Sequence, residues 1–155
     1  MSPAAKVITV SDGVVEGTRD DRSGAALEAR LSTAGFEVVE RIVTSDGRDP
    51  VATTLRHACD GFAGLVVTTG GTGFGPRDLT PEGTLAVIER QAPGMAEAMR
   101  LASPLGRLSR AVAGALGQCL ILNTPGSTKG CVETLDAVLD VVPHALELLA
   151  GERPH

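Results

Sequence analysis

The run Gly64-Leu65-Val66-Val67-Thr68-Thr69 passes without a break into GGTGFGPRD, residues 70–78. A continuous apolar and β-branched run of this length reads as a strand buried on both faces, the kind found inside a parallel sheet. It ends on glycines that let backbone amides approach an anion closely, with Asp78 beside them as a carboxylate donor. Outward in both directions the same junction recurs. Lys6 to Val10 reads as a short buried strand ending at Ser11-Asp12-Gly13. Phe36 to Thr44 reads as a second strand, ending at Ser45-Asp46-Gly47-Arg48-Asp49-Pro50. Between them Ala26, Leu27, Arg30, Leu31 and Ala34 have helical spacing, with Ser23 as N-cap and Gly35 as stop. A further helix is expected from Pro50 to Cys59, capped by Asp49.

After Thr80-Pro81-Glu82, Leu85, Val87 and Ile88 predict a helix to about Gln91, and a second is expected over Gly94 to Ala102 with Met95, Ala98 and Met99 inward. Ala111 to Leu116 and Cys119 to Asn123, separated by Gly117-Gln118, predict a tight hairpin and hence an antiparallel edge. The tail from Val132 to Ala150 is helical in spacing, broken or kinked at Pro143. The expectation is one three-layer α/β domain over residues 1–155, with its core in about 6–150 and a mostly parallel sheet. Ligands then sit outside the carboxyl ends of the strands.

Composition narrows the function. The 155 residues hold no Trp or Tyr and three Phe, so the core is packed from Val, Leu, Ile and Ala. With 14 basic and 19 acidic side chains the net charge is -5, which argues against nucleic acid and anionic membrane as partners. Three widely spaced cysteines, Cys59, Cys119 and Cys131, read as free thiols of a reducing compartment. The start lacks the apolar core of a signal peptide and no run is long enough to span a bilayer, so the expected location is the cytoplasm. His57, His144 and His155 have no cysteines at zinc spacing, no Gly-x-Ser-x-Gly elbow occurs, and no cysteine has an adjacent basic partner in sequence.

What remains is anion binding. The glycine loop is neither a Walker loop, since Lys6 and Lys129 stand elsewhere, nor a dinucleotide fingerprint, since Pro76 replaces the third glycine. A second candidate is LILNTPGSTKG, residues 120–130. It ends a strand at Asn123, turns through Pro125 and Gly126, and starts a helix near Ser127 beside the cation of Lys129. Asp12, Asp46 and Asp78 all follow strands, so a parallel sheet would bring them to one crevice, where they could hold magnesium. Taken singly, each could equally be a turn or cap residue.

TVSDG (9–13), DRSG (21–24), TTGGTGFGPRDLTPE (68–82), LSRAVAG (108–114) and NTPGSTKG (123–130) together resemble the MogA/MoaB family of molybdopterin adenylyltransferases, from Val7 to Leu149. The resemblance implies a homotrimer that transfers AMP from ATP, with magnesium, to the molybdopterin phosphate and passes the product to a molybdenum-inserting partner. It implies that Asp46 and Asp78 are catalytic and position magnesium and the triphosphate. By the same resemblance Thr69, Gly70, Gly71, Thr72 and Gly73 cradle nucleotide phosphates, and Ser11, Asp12, Ser109, Asn123, Pro125, Gly126, Ser127 and Lys129 line the pterin and phosphate pocket. PGSTKGC is closer to the MoaB branch, which brings in the alternative of a non-catalytic molybdopterin-binding protein; the two retained carboxylates favour an active enzyme.

Overall fold

In the computed structural model, which describes residues 2–153, the strand β3 (Gly64–Thr69) is buried at every position. His155 therefore lies outside the described residues. β1 (Ala4–Val10) and β6 (Cys119–Thr124) flank β3 and run parallel to it. β2 (Glu37–Thr44) adds a parallel edge outside β1, while β5 (Ala113–Leu116) and the two-residue β4 (Arg90–Gln91) complete the far side antiparallel, giving the order β2-β1-β3-β6-β5-β4. The expected α/β domain and its antiparallel edge are both present.

The pleat sends alternate side chains of the central strands to opposite faces, and each face meets helices. Leu65, Val67, Leu120 and Leu122 pack with Leu27 and Leu31 of α2 (Arg22–Thr33), Met99 of α5 (Pro93–Arg100), Leu135 of α6 (Thr128–Asp136) and Val142 of α7 (Val142–Leu149). On the other face Ile8, Val66, Cys119 and Ile121 pack with Val51, Ala52, Leu55 and Ala58 of α3 (Arg48–Cys59). α4 (Thr80–Leu85) lies against α3, close enough that a Cβ on Gly83 would stand 2.7 Å from the Val51 Cβ.

Several expected boundaries move for local reasons. α2 starts at Arg22, with Asp21 as N-cap accepting from the Gly24 N–H at 3.1 Å, while Ser23 is buried inside the first turn. α3 reaches back to Arg48, leaving Asp49 in its first turn rather than at its cap. The helix expected after Thr80-Pro81-Glu82 and up to about Gln91 starts at Thr80, with Pro81 in its first turn, but ends already at Leu85; Arg90 and Gln91 instead pair with Ala115 and Gly114. The tail breaks before Pro143: α6 already ends at Asp136, a 3-10 turn covers Leu139–Val141, and Pro143 sits in the first turn of α7, where its missing N–H costs nothing. The short helix α1 (Asp12–Glu16) has no counterpart in the expected pattern.

The hairpin between Leu116 and Cys119 turns as expected through Gly117, whose φ is 57°. A Cβ there would meet nothing within 4 Å, so only backbone strain opposes a side chain. Gly117→Ala is expected to lower stability by about 1 kcal/mol, seen as a lower urea midpoint at unchanged slope.

Candidate functional site

All four parallel strands end on one edge of the sheet, and the polar residues that follow them meet there. After β1, the Ser11 hydroxyl caps α1 by accepting from the Val14 N–H at 3.2 Å. Asp12 and Asp46, after β1 and β2, exchange backbone-to-carboxylate hydrogen bonds: Asp12 N–H donates to Asp46 Oδ2 at 2.9 Å, and Asp46 N–H to Asp12 Oδ1 at 3.1 Å. Arg77 closes the group. Its Nε and a terminal nitrogen donate to the two oxygens of Asp12 at 2.6 and 3.1 Å, and the same terminal nitrogen reaches the Asp46 carbonyl at 3.0 Å.

The charges are unequal in consequence. The Arg77 hydrogen bonds hold the Asp12 carboxyl below its ordinary range. Burial raises that of Asp46, and the neighbouring charges of Asp12 and Asp78 push the same way. Asp46 is thus a carboxylate that gains from a cation arriving beside it.

The glycine loop after β3 is threaded between fixed neighbours. Gly70 N–H donates to the Thr124 carbonyl at 3.1 Å, Thr69 Oγ1 to the Pro125 carbonyl at 2.8 Å, and Thr80 Oγ1 to the Gly70 carbonyl at 2.9 Å. With φ of 104° and 70°, Gly70 and Gly71 leave no room for a side chain: a Cβ would come within 2.3 Å of the Val10 carbonyl and of Thr80 Oγ1 respectively. Further on, Asp78 Oδ2 accepts from the Gly75 N–H at 2.9 Å.

Two neighbouring clefts open onto this edge. The larger, about 720 Å³, is polar and collects Ser11, Asp46, Thr69, Gly70, Gly71, Asp78, Gly126 and Ser127 from the expected set. The second, about 560 Å³, has walls from Met99, Pro104 and Leu105 and contains Ser109, Pro125 and Lys129. Ser127 borders both, and its hydroxyl caps α6 through the Gly130 N–H at 3.0 Å. Lys129 is largely exposed, 3.7 Å from Glu133.

Four of the expected residues line neither cleft: Asp12, whose carboxylate is taken up by Arg77 and the Asp46 N–H, and Thr72, Gly73 and Asn123. Thr72 is buried, and its carbonyl accepts from Arg110 N–H at 2.9 Å; the Gly73 carbonyl accepts from Arg110 Nε at 2.8 Å. Asn123 is completely buried. Its amide donates to Thr68 Oγ1 and Thr84 Oγ1, both at 3.0 Å, and accepts from Val112 N–H at 3.1 Å, tying β3, β6, α4 and the approach to β5 together. Asn123→Ala would strand two buried hydroxyls and an N–H, so a loss of about 2 kcal/mol is expected in urea unfolding.

Sequence reasoning missed Arg77, Arg110 and Asp21 as parts of the site. Arg110 lies inside LSRAVAG and Asp21 inside DRSG, so the motifs contained the signal, but a side chain bound to backbone carbonyls of a distant loop leaves no periodic trace. Asp21 lines the polar cleft, accepts from Thr9 Oγ1 at 2.7 Å and pairs with Arg41 at 2.6 Å.

Residues 6–144 match the model of a family described as a probable molybdopterin-binding domain. The chain is 38% identical over 152 residues to the molybdopterin adenylyltransferase of Helicobacter pylori strain J99, covering 94% of this chain and 86% of the relative. It is equally 38% identical, over 165 residues, to the molybdopterin adenylyltransferase of Escherichia coli K12, covering 94% and 84%. Among solved structures it superposes on the molybdopterin biosynthesis enzyme MoaB of Thermus thermophilus with a TM-score of 0.90 at 42% identity, covering 97% of this chain and 98% of that one. The molybdopterin biosynthesis Mog protein of Mycobacterium ulcerans gives a TM-score of 0.89 at 39% identity, covering 98% and 99%. With the model match spanning nearly the whole chain, and with the sheet edge built as described, this protein belongs to the molybdopterin-binding domain family of the MogA and MoaB proteins.

Proposed function

We propose that this protein is a molybdopterin adenylyltransferase of molybdenum-cofactor biosynthesis, which joins AMP from ATP to the molybdopterin phosphate and releases pyrophosphate. The observation that carries the reading is the placement of Asp46 and Asp78 in one polar cleft with the bare backbone of Gly70 and Gly71, beside a second, more apolar cleft reached across Ser127. The polar cleft suits a triphosphate, and the second, with Lys129 and Ser109 among apolar walls, suits a flat heterocycle with polar edges. In this arrangement the pterin phosphate attacks the α-phosphorus of ATP at the junction, and the bond to the β-phosphate oxygen breaks. The protein contributes by aligning the two anions and by offering fixed donors to the charge that develops.

Asp46 and Asp78 would hold magnesium, which takes one or two carboxylates together with phosphate oxygens and offsets the charge of the leaving pyrophosphate. Two carboxylates leave most of such an ion's positions to phosphate oxygens and water, so the fit is to an ion that arrives with the nucleotide. The same reading carries a cytoplasmic homotrimer that hands its product to a molybdenum-inserting partner. Among the described residues no helix is long and apolar enough to cross a membrane.

The test is pyrophosphate release on mixing the protein with molybdopterin, ATP and magnesium, with Asp78→Ala alongside. Release by the native protein that depends on molybdopterin supports the enzyme. Pterin binding without release would instead identify a non-catalytic carrier. Lys129→Ala is expected to raise the KM for molybdopterin about tenfold, as loss of one exposed charge contact, while the KM for ATP stays put.

A further inference from the structure

At the end of the sheet opposite the clefts, the last residue of α3 and the first of β6 are both cysteines. Cys119 is completely buried, and its Sγ lies 3.1 Å from the Phe62 carbonyl and 3.9 Å from the Cys59 carbonyl. Cys59 packs against the same apolar cluster, and the 3.9 Å approach of the Cys119 sulfur to the Cys59 carbonyl makes the two cysteines neighbours across the gap between α3 and β6. Cys59 is partly exposed and borders a surface cleft with Arg56, His57 and Asp60, whereas Cys119 is shut off from solvent. A cation stands beside them. The Lys6 ammonium donates to the Ala58 carbonyl at 2.9 Å and lies 4.4 Å from the centre of the Phe62 ring.

We propose that Cys59 and Cys119 form a reversible two-thiol oxidation site, which a small peroxide converts to an intrachain disulfide. Cys59, the more exposed of the two residues, attacks one peroxide oxygen; the O–O bond breaks and the thiol proton leaves with the departing oxygen as water. Cys119 then attacks the sulfenic sulfur of Cys59, its proton joining the departing hydroxyl as a second water. Two thiols lose two electrons, and the peroxide gains them.

The electrostatics favour the second step. In the reduced pair the Cys59 contact holds the Cys119 thiol below its ordinary value against the opposing effect of burial; the Lys6 ammonium acts in the same direction and remains beside Cys119 once Cys59 is oxidised. The contact with Cys119, and after it burial, push the Cys59 thiol up. Cys131 is the internal contrast. It is fully buried among apolar residues, its thiol donates to the Thr128 and Ser23 carbonyls at 3.3 and 3.7 Å, and burial pushes it up to about 11.

The experiment treats the folded, reduced protein with a few equivalents of hydrogen peroxide, alkylates it in denaturant and maps the peptides by mass spectrometry. The expected result is a fall from three alkylatable thiols to one, Cys131, with a Cys59–Cys119 linked peptide that dithiothreitol removes. Cys59→Ser should abolish the loss of thiol at Cys119, and Cys119→Ser should leave Cys59 trapped as a sulfenic acid that dimedone labels. Sulfenic or sulfinic acid accumulating on Cys59 of the native protein while Cys119 stays alkylatable would overturn the proposal, as would linkage only between separate chains.

Discussion

Replacing Asp78 by Asn is expected to lower molybdopterin-dependent pyrophosphate release by about 100- to 1,000-fold, and replacing Asp46 by Asn to do the same. The amide is the informative change because each carboxylate also has a structural duty. Asp46 Oδ2 accepts from the Asp12 N–H and Asp78 Oδ2 from the Gly75 N–H, and an Asn side-chain oxygen can keep either bond. The loop geometry should therefore survive while the negative charge disappears. Asp46 sharpens the test, since burial and the charges of Asp12 and Asp78 already disfavour its ionised form in the free protein. Raising magnesium should then recover part of the lost rate in Asp46→Asn if the ion's remaining donors are phosphate oxygens. Unfolding midpoints near the native value, together with retained turnover in both variants, would remove these residues from the catalytic role.

The sheet was legible in the sequence because its central strands carry unmistakable marks. GLVVTT and the apolar run before Asn123 are buried on both faces, so they show no alternation and end abruptly on glycine or proline turns. Order along the chain then places Asp46 and Asp78 at the same edge, and the structure puts both in one cleft. The helix limits were less legible. Arg90 and Gln91 look like the end of a helix until β5 offers them backbone partners, and that pairing is a tertiary fact. Asn123 shows the same limit at the site: as the only Asn in the chain, at a strand end, it reads as a ligand contact, yet its amide is spent on Thr68, Thr84 and Val112. A polar residue at a strand terminus serves ligand or scaffold equally well, and only its partners distinguish the two.

Arg110→Ala tests whether the scaffold of the glycine loop matters as much as its carboxylates. The guanidinium bonds the Gly73 carbonyl at 2.8 Å, the Asp78 carbonyl, and Glu82 Oε2 at 2.6 Å, so one side chain holds both ends of residues 73–78 and the first turn of α4. Its backbone N–H, which serves the Thr72 carbonyl, survives the substitution; the three side-chain bonds do not. Because Arg110 and Glu82 are partly exposed, water replaces some of what is lost, and a stability cost of about 2 kcal/mol is expected. The larger effect should be kinetic. Asp78 sits at the end of the segment that Arg110 secures, and a shift of the order of 1 Å at a positioning group costs about 100-fold in rate. Arg110→Lys keeps the charge but not the fork that serves three acceptors, so it should recover stability better than turnover. Equal recovery of both by lysine would mean that charge alone holds the loop.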